Sequence, residues 1–311
     1  MPSIIQVKEL SKHFGQIRAV DNLSFTVEQG EIYGFLGQNG AGKSTTIRML
    51  LTLVKPTQGK IELLGLDLHK HRADILRQVG AVIERPDTYN YLSGFENLSL
   101  FAKISCIRLS RKQLMDKLAS VGLEGREHGK VKTYSQGMKQ RLAIAIAMVH
   151  DPHIIILDEP TNGLDPQGIA EIRNLIIRLG KEQHKTVLIS SHLLNEVELI
   201  ADKILILDKG KKITEGFVRD LLDPSRMVLD LRAMNPELTS RVIREGHWLA
   251  KFQKQLDDHF IFELKRDEIP VLTAELVSRG VEVLEIQHRY SLEDYFLSLT
   301  TPNLDVDHFT N

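Results

Sequence analysis

Gly37-Gln38-Asn39-Gly40-Ala41-Gly42-Lys43-Ser44 spells G-x-x-x-x-G-K-S, and its neighbours give it the setting such a loop needs. The residues before it, Glu31-Ile32-Tyr33-Gly34-Phe35-Leu36, read as a buried strand, and those after it, Thr45-Thr46-Ile47-Arg48-Met49-Leu50-Leu51, as a helix. Glycines let backbone N–H groups turn inward around a phosphate, and the N-terminus of the following helix adds partial positive charge. Lys43 can reach the β- and γ-phosphates of a nucleotide, and the Ser44 hydroxyl can ligate magnesium. Average residue frequencies give such a pattern roughly a one per cent chance of arising by accident in a chain this long. The strand–loop–helix setting lowers that further, so Gly37 to Thr45 are expected to cradle a nucleoside triphosphate.

The 311 residues suffice for one large domain and a smaller one, and a hydrophobic content of 42% supports real cores. Basic and acidic residues nearly cancel, 40 against 41, so nothing points to a nucleic-acid partner. No apolar run approaches the ~18–20 residues of a membrane span, and the N-terminus lacks the basic-then-apolar plan of a signal peptide. The lone cysteine, Cys106, cannot form an internal disulfide, which fits a reducing cytosol; it reads as a small hydrophobe on a helix. The chain is expected to be cytosolic.

Apolar runs at Ile4–Leu10, Ser24–Val27, Ile32–Leu36, Lys60–Leu63, Gly80–Ile83, Ile154–Leu157, Thr186–Ser190 and Ile204–Leu207 read as strands. Helical spacing marks Ile169, Ile172, Leu175, Ile176 and Leu179, and a shorter helix through Leu193, Val197 and Ile200. Continuous apolar strands alternating with helices predict an α/β fold with a parallel sheet covered on both faces. The first ~30 residues alternate without an intervening helix and predict an antiparallel patch. From about 86 to 134 strand signals vanish and helical patterning appears around Leu98–Ile104 and Leu114–Val121, as in an inserted helical subdomain. A break at Asp223-Pro224-Ser225 separates residues 1–223 from 224–311. The second part reads as a small α+β domain: strand Met227–Leu231, helix Pro236–Arg244, a weak strand near Ala250–Gln255, strand His259–Lys265, helix Glu268–Ser278, strand Val281–Gln287 and helix Ser291–Leu299.

Ile154-Ile155-Ile156-Leu157-Asp158-Glu159 is an apolar strand ending in two carboxylates. Asp158 is placed to hold magnesium through water beside Ser44, and Glu159 to polarise an attacking water. The bland reading of the pair is a solvated acidic strand end, which the phosphate loop upstream disfavours.

Tyr134-Ser135-Gln136-Gly137-Met138-Lys139-Gln140-Arg141 opens a helix through Ile144, Ala147 and Met148, just before that strand. With it, residues Ile4 to Leu222 resemble the ABC ATPases, the nucleotide-binding subunits of ABC transporters. The family's signature turn implies that Ser135, Gln136 and Gly137 bind the γ-phosphate held by a second protomer, so that two chains sandwich two ATP molecules. Gln136 stands where the commoner form has glycine, a variant similar to drug- and antibiotic-export ATPases such as the bacitracin exporters. The resemblance further implies that Asp165, in Asn162-Gly163-Leu164-Asp165, contacts the second protomer, that His192 contacts the γ-phosphate, and that Phe14 stacks on adenine. Glu84 occupies the place of the family's glutamine that couples nucleotide to transport and contacts magnesium. The C-terminal segment looks more loosely like the accessory domain of exporter-type members, with Ser291-Leu292-Glu293-Asp294-Tyr295-Phe296 as its closing helix.

The implied function is ATP hydrolysis, catalysed through Glu159, His192 and Lys43 with ATP and Mg, powering an export permease made as a separate chain. The expected assembly is a homodimer of ATPase chains, peripheral on the inner face of the cell membrane. Tyr89, Tyr91 and Leu92 suit either a grip on the permease or the insertion's own core. The alternative, a soluble ABC ATPase acting on ribosomes or DNA, would more usually carry two ATPase halves or a long coiled-coil insertion. An inactive scaffold is disfavoured by the intact Lys43, Ser44, Asp158, Glu159 and His192.

Overall fold

The computed structural model describes residues 3–83, 88–222 and 227–289, in two units, Met1–Val218 and Arg219–Asn311. Glu84, Pro86, the break at Asp223-Pro224-Ser225 and the expected helix Ser291–Leu299 lie outside the described residues.

In chain order the first unit contains β1 (Ser3–Phe14), β2 (Ile17–Glu28), β3 (Ile32–Leu36), α1 (Lys43–Leu50), β4 (Gln58–Leu63), β5 (Leu66–Asp67), α2 (Arg72–Leu76) and β6 (Val79–Val82). It continues through α3 (Gly94–Ile104), α4 (Arg111–Ser120), α5 (Gln136–Ala147), β7 (Ile154–Asp158), α6 (Pro166–Ile177), β8 (Thr186–Ser191), α7 (Leu194–Glu198), β9 (Lys203–Asp208) and β10 (Lys211–Phe217). A short helix, α8 (Val218–Leu221), follows. Every residue of β3, β7 and β8 is buried, as strands covered on both faces require. They form the middle of a sheet ordered β10-β9-β3-β8-β7-β6, parallel except for β10. β10 carries no apolar run because it is a half-exposed edge, which is why sequence patterning misses it.

β1 and β2 instead alternate buried and exposed positions and pair antiparallel, in a second sheet ordered β2-β1-β4-β5. Phe25 of β2 packs on Phe35 and Tyr33 of β3, with ring centroids 4.9 and 5.8 Å apart, joining the two sheets through one core. Burial, then the neighbouring Glu215, pushes the Tyr33 phenol well above its ordinary range, so it stays neutral and donates to Glu215 at 3.0 Å.

Reciprocal caps start the helices of the insertion. Ser93 accepts from the Glu96 amide while Glu96 accepts from the Ser93 amide, and Ser110 and Gln113 repeat the device. Each cap contributes about 1 kcal/mol. Cys106 corrects the expectation of a helical, packed residue: it is exposed and lies beyond the end of α3, at φ 58°. Its amide donates to Lys103 O at 3.0 Å and that of Ile107 to Ala102 O at 2.9 Å, the paired bonds with which a left-handed residue closes a helix.

The second unit runs β11 (Met227–Ala233), α9 (Pro236–Glu245), β12 (Phe252–Leu256), β13 (His259–Leu264), α10 (Ile269–Ser278) and β14 (Val283–Arg289). All its strand pairs are antiparallel, ordered β12-β13-β11-β14, which is the ferredoxin-like arrangement. In β13, Phe260, Phe262 and Leu264 are buried while His259, Ile261 and Glu263 are not, so one face meets a core with Leu229, Leu272 and Leu276. Trp248 closes that core; its buried indole donates to Glu275 at 2.8 Å.

Candidate active site

α1 begins at Lys43, and the residue before it, Gly42, is held at φ 105°. A side chain there would meet the Ala19 carbonyl at 2.6 Å, so only glycine fits both the dihedral and the space. No side chain caps α1, which leaves its first amides available to an anion. Gln38, Asn39 and Gly40 form the loop's exposed crown, while Gly37, Ala41, Gly42 and Lys43 are buried, and Ser44 and Thr45 are half-buried. The Lys43 ammonium sits inside the loop. It donates to Gly37 O at 2.7 Å and Gln38 O at 3.3 Å and pairs with Glu159 at 3.2 Å.

Parallel register sets Asp158, the last residue of β7, opposite Ser190 of β8. Asp158 is 2% exposed, and its Oδ1 accepts from Ser44 Oγ at 3.2 Å and Ser190 Oγ at 2.5 Å. The next residue, Glu159, leaves the strand at φ 49°, a left-handed conformation unfavourable for a side chain with Cβ. Its amide donates to Ser190 Oγ at 3.0 Å and to the Ser190 carbonyl at 3.2 Å, and its Oε2 meets His192 Nδ1 at 2.7 Å. Lys43, Ser44, Asp158, Glu159 and His192, distant in sequence, are thus connected in one cluster. Ser44 and Asp158 bring two hard oxygen donors together, a set suited to magnesium, which keeps several of its waters. Ser190, passed over in the sequence as a neighbour of His192, is the member that strand register alone would have revealed.

The remaining expected site residues that the structure describes lie on other elements. Ser135 is exposed and caps α5, accepting from the Met138 amide at 3.2 Å. Its hydroxyl proton is not used in that bond. Gln136 and Gly137 form the first turn. Asp165 caps α6, accepting from the Gly168 amide at 3.0 Å, so it has a role within its own chain. Phe14 ends β1, half-exposed, with the Lys12 ammonium 4.7 Å above its ring. Tyr89 and Tyr91 are exposed and touch edge to face, and the buried Asn97 side chain bonds both the amide and the carbonyl of Tyr89.

A family model for ABC transporters matches residues 20–162. The bacitracin transport ATP-binding protein BcrA of Bacillus licheniformis is 42% identical over 302 residues, covering 96% of this chain and 98% of that one. The uncharacterized ABC transporter ATP-binding protein YhcH of Bacillus subtilis is 39% identical over 302 residues, covering 96% and 97%. Among solved structures, a dimeric post-hydrolysis ATP-binding cassette bound to ADP and Pi superimposes with a TM-score of 0.63 at 27% identity. That match covers 70% of this chain and 99% of the cassette.

Proposed function

This chain belongs to the ATP-binding proteins of ABC transporters, and on that premise we propose that it is the ATPase subunit of an exporter, driving a membrane-spanning subunit carried on another polypeptide. Among the described residues no helix is long and apolar enough to cross a membrane, and this reading gives the path for cargo to the partner. The relatives named for bacitracin transport support an antibiotic-like cargo, and none of those described supports the ribosome or DNA alternative.

One observation carries the chemistry: Glu159 is held between Lys43 and His192, one strand end away from Ser44 and Asp158. In this reading the loop amides and Lys43 bind the β- and γ-phosphates, Lys43 exchanging its bonds to Gly37 and Gln38 for phosphate oxygens. Glu159, freed from Lys43, orients and polarises the attacking water, and His192 holds the carboxylate and reaches the γ-phosphate. Ser44 and Asp158 would hold magnesium, and Glu84 would contact it; the ion supplies charge neutralisation to the phosphates. Phe14 offers its exposed ring to adenine. The Ser135 hydroxyl proton, with Gln136 and Gly137, is offered to a γ-phosphate on a second copy of the chain, and Asp165 lies at that contact. Glu84 couples the nucleotide site to the Tyr89–Tyr91 surface. Residues 224–311 act as an accessory domain, and the assembly sits peripherally on the cytoplasmic membrane face.

The test is to purify the chain with and without any multi-span membrane protein found encoded beside it. ATPase activity stimulated by that partner, and abolished by Lys43→Ala, is the expected result. Activity indifferent to every such membrane protein would overturn the exporter assignment.

A further inference from the structure

We propose that Ser190 is the positioning residue that sets both carboxylates of the ATPase site, a role that rests on the assignment of Asp158 and Glu159 to ATP hydrolysis. Its side chain is fully buried, at the one place where β8 faces the end of β7. A hydroxyl has a single proton and two lone pairs. The Ser190 proton goes to Asp158 Oδ1, because a carboxylate only accepts, and a lone pair takes the Glu159 N–H. One hydroxyl therefore fixes the carboxylate of residue 158 and, together with the Ser190 carbonyl at 3.2 Å, the peptide of residue 159.

The second bond matters because Glu159 adopts a left-handed backbone conformation that its own side chain disfavours. His192, the first residue past β8, then reaches the Glu159 carboxylate. Ser190 grips the backbone of Glu159 and His192 grips its tip, while Ser191 between them turns to Leu193 instead. Ser44 also donates to Asp158 Oδ1, but its hydroxyl is the one offered to a metal ion. Ser190 is enclosed, so it is left to hold the carboxylate whatever Ser44 binds.

Ser190→Ala removes both hydroxyl bonds with little change of volume and leaves the Glu159 amide its bond to the Ser190 carbonyl at 3.2 Å. Ser190→Cys fills the space with a weak donor, and Ser190→Thr keeps the hydroxyl. In the full chain with its membrane partner, Ala and Cys should lower kcat by about 10–100-fold, the range for residues that orient metal-site ligands. KM for ATP should stay within about twofold, the magnesium concentration for half-maximal activity should rise about tenfold, and Thr should restore much of the loss. A second readout needs neither nucleotide nor metal: the Glu159 amide, left in the Ala variant with only the Ser190 carbonyl at 3.2 Å, should exchange its hydrogen about threefold faster.

Wild-type kcat, magnesium dependence and amide exchange in Ser190→Ala would overturn the proposal. So would a lowered melting temperature with unchanged magnesium dependence, because that marks a packing role alone. Glu159→Gln separates the two levels. Normal hydrolysis in that variant removes the assignment of the site itself, whereas an inactive Glu159→Gln beside a normal Ser190→Ala removes Ser190 alone.

Discussion

Glu159→Gln should do two opposite things at once, tightening ATP binding while stopping its hydrolysis. The Glu159 carboxylate lies 3.2 Å from the buried Lys43 ammonium, the group that the phosphates of ATP take over in the proposed mechanism. At an effective dielectric near 20 the gross attraction at that distance is about 5 kcal/mol. Desolvation of both groups offsets most of this. A surviving net of about 1.4 kcal/mol corresponds to a tenfold change in affinity. Glutamine keeps the shape and an acceptor oxygen but not the charge, so the ATP Kd should fall by up to about tenfold. Without a carboxylate to polarise water, turnover should drop by about 10² or more. Equilibrium binding of a fluorescent ATP analogue checks the first effect, phosphate release in the complex with the membrane partner the second. The trapped nucleotide should also hold two chains together in sizing experiments. Hydrolysis near the wild-type rate would remove Glu159 from the catalytic role. Weaker ATP binding would refute the competition between Glu159 and phosphate for Lys43.

Mixing Lys43→Ala chains with Ser135→Arg chains should restore at most one composite ATP site per dimer, detectable as partial recovery of activity; recovery absent at every ratio would argue against shared sites. Asp165→Ala should cost about 1 kcal/mol of stability through the lost cap of α6, whereas Asp165→Asn should cost little. Both should weaken ATP-driven pairing if the charge meets the partner chain, and normal pairing by the Asn variant would confine Asp165 to its own helix. His150 is pushed below its ordinary value of 6.5 first by burial and then by Lys117 and Lys185, against the Val79 carbonyl and Asp151. The unfolded chain therefore takes this proton first; the stability it contributes is whole above about pH 6.5 and is lost as pH falls through the lowered folded value, so His150→Gln should flatten the acid slope of denaturation curves. Tyr91→Ala should weaken association with the membrane subunit and leave basal ATPase intact. Glu84→Ala should reduce partner-stimulated ATPase more than ATP binding, with Glu84→Gln milder; equal losses with and without the partner would confine Glu84 to local chemistry.

The central sheet was legible in the sequence because β3, β7 and β8 are buried on both faces and carry unbroken apolar runs. β10 and β12 were hard to see for the opposite reason, since edge strands present polar side chains to water. The phosphate loop could be read from eight consecutive residues. Ser190 could not, because its importance lies in which strand stands beside it, and register between distant strands leaves no mark on local pattern. Cys106 misled for a local reason: its type suggested a small hydrophobe packed on a helix, whereas α3 ends at Ile104 and Cys106, left-handed and exposed, closes it. The expectation that Asp165 contacts a second protomer rests on resemblance alone, whereas its cap of α6 was open to reading, since Asp165-Pro166 is a plain helix-start signal.

Trp248 is the chain's one tryptophan, and it is enclosed in the core of the second unit with its indole bonded to Glu275. Evolution has thereby supplied a built-in reporter. Excited at the red edge of the ultraviolet band, the molecule emits from that module alone, and the ATPase half stays dark. A red shift of that emission on heating or in denaturant tracks the opening of the ferredoxin-like module, while circular dichroism follows both halves together. Comparing the two melting curves, with and without ATP, measures how far nucleotide binding in one half is felt in the other, with no label attached.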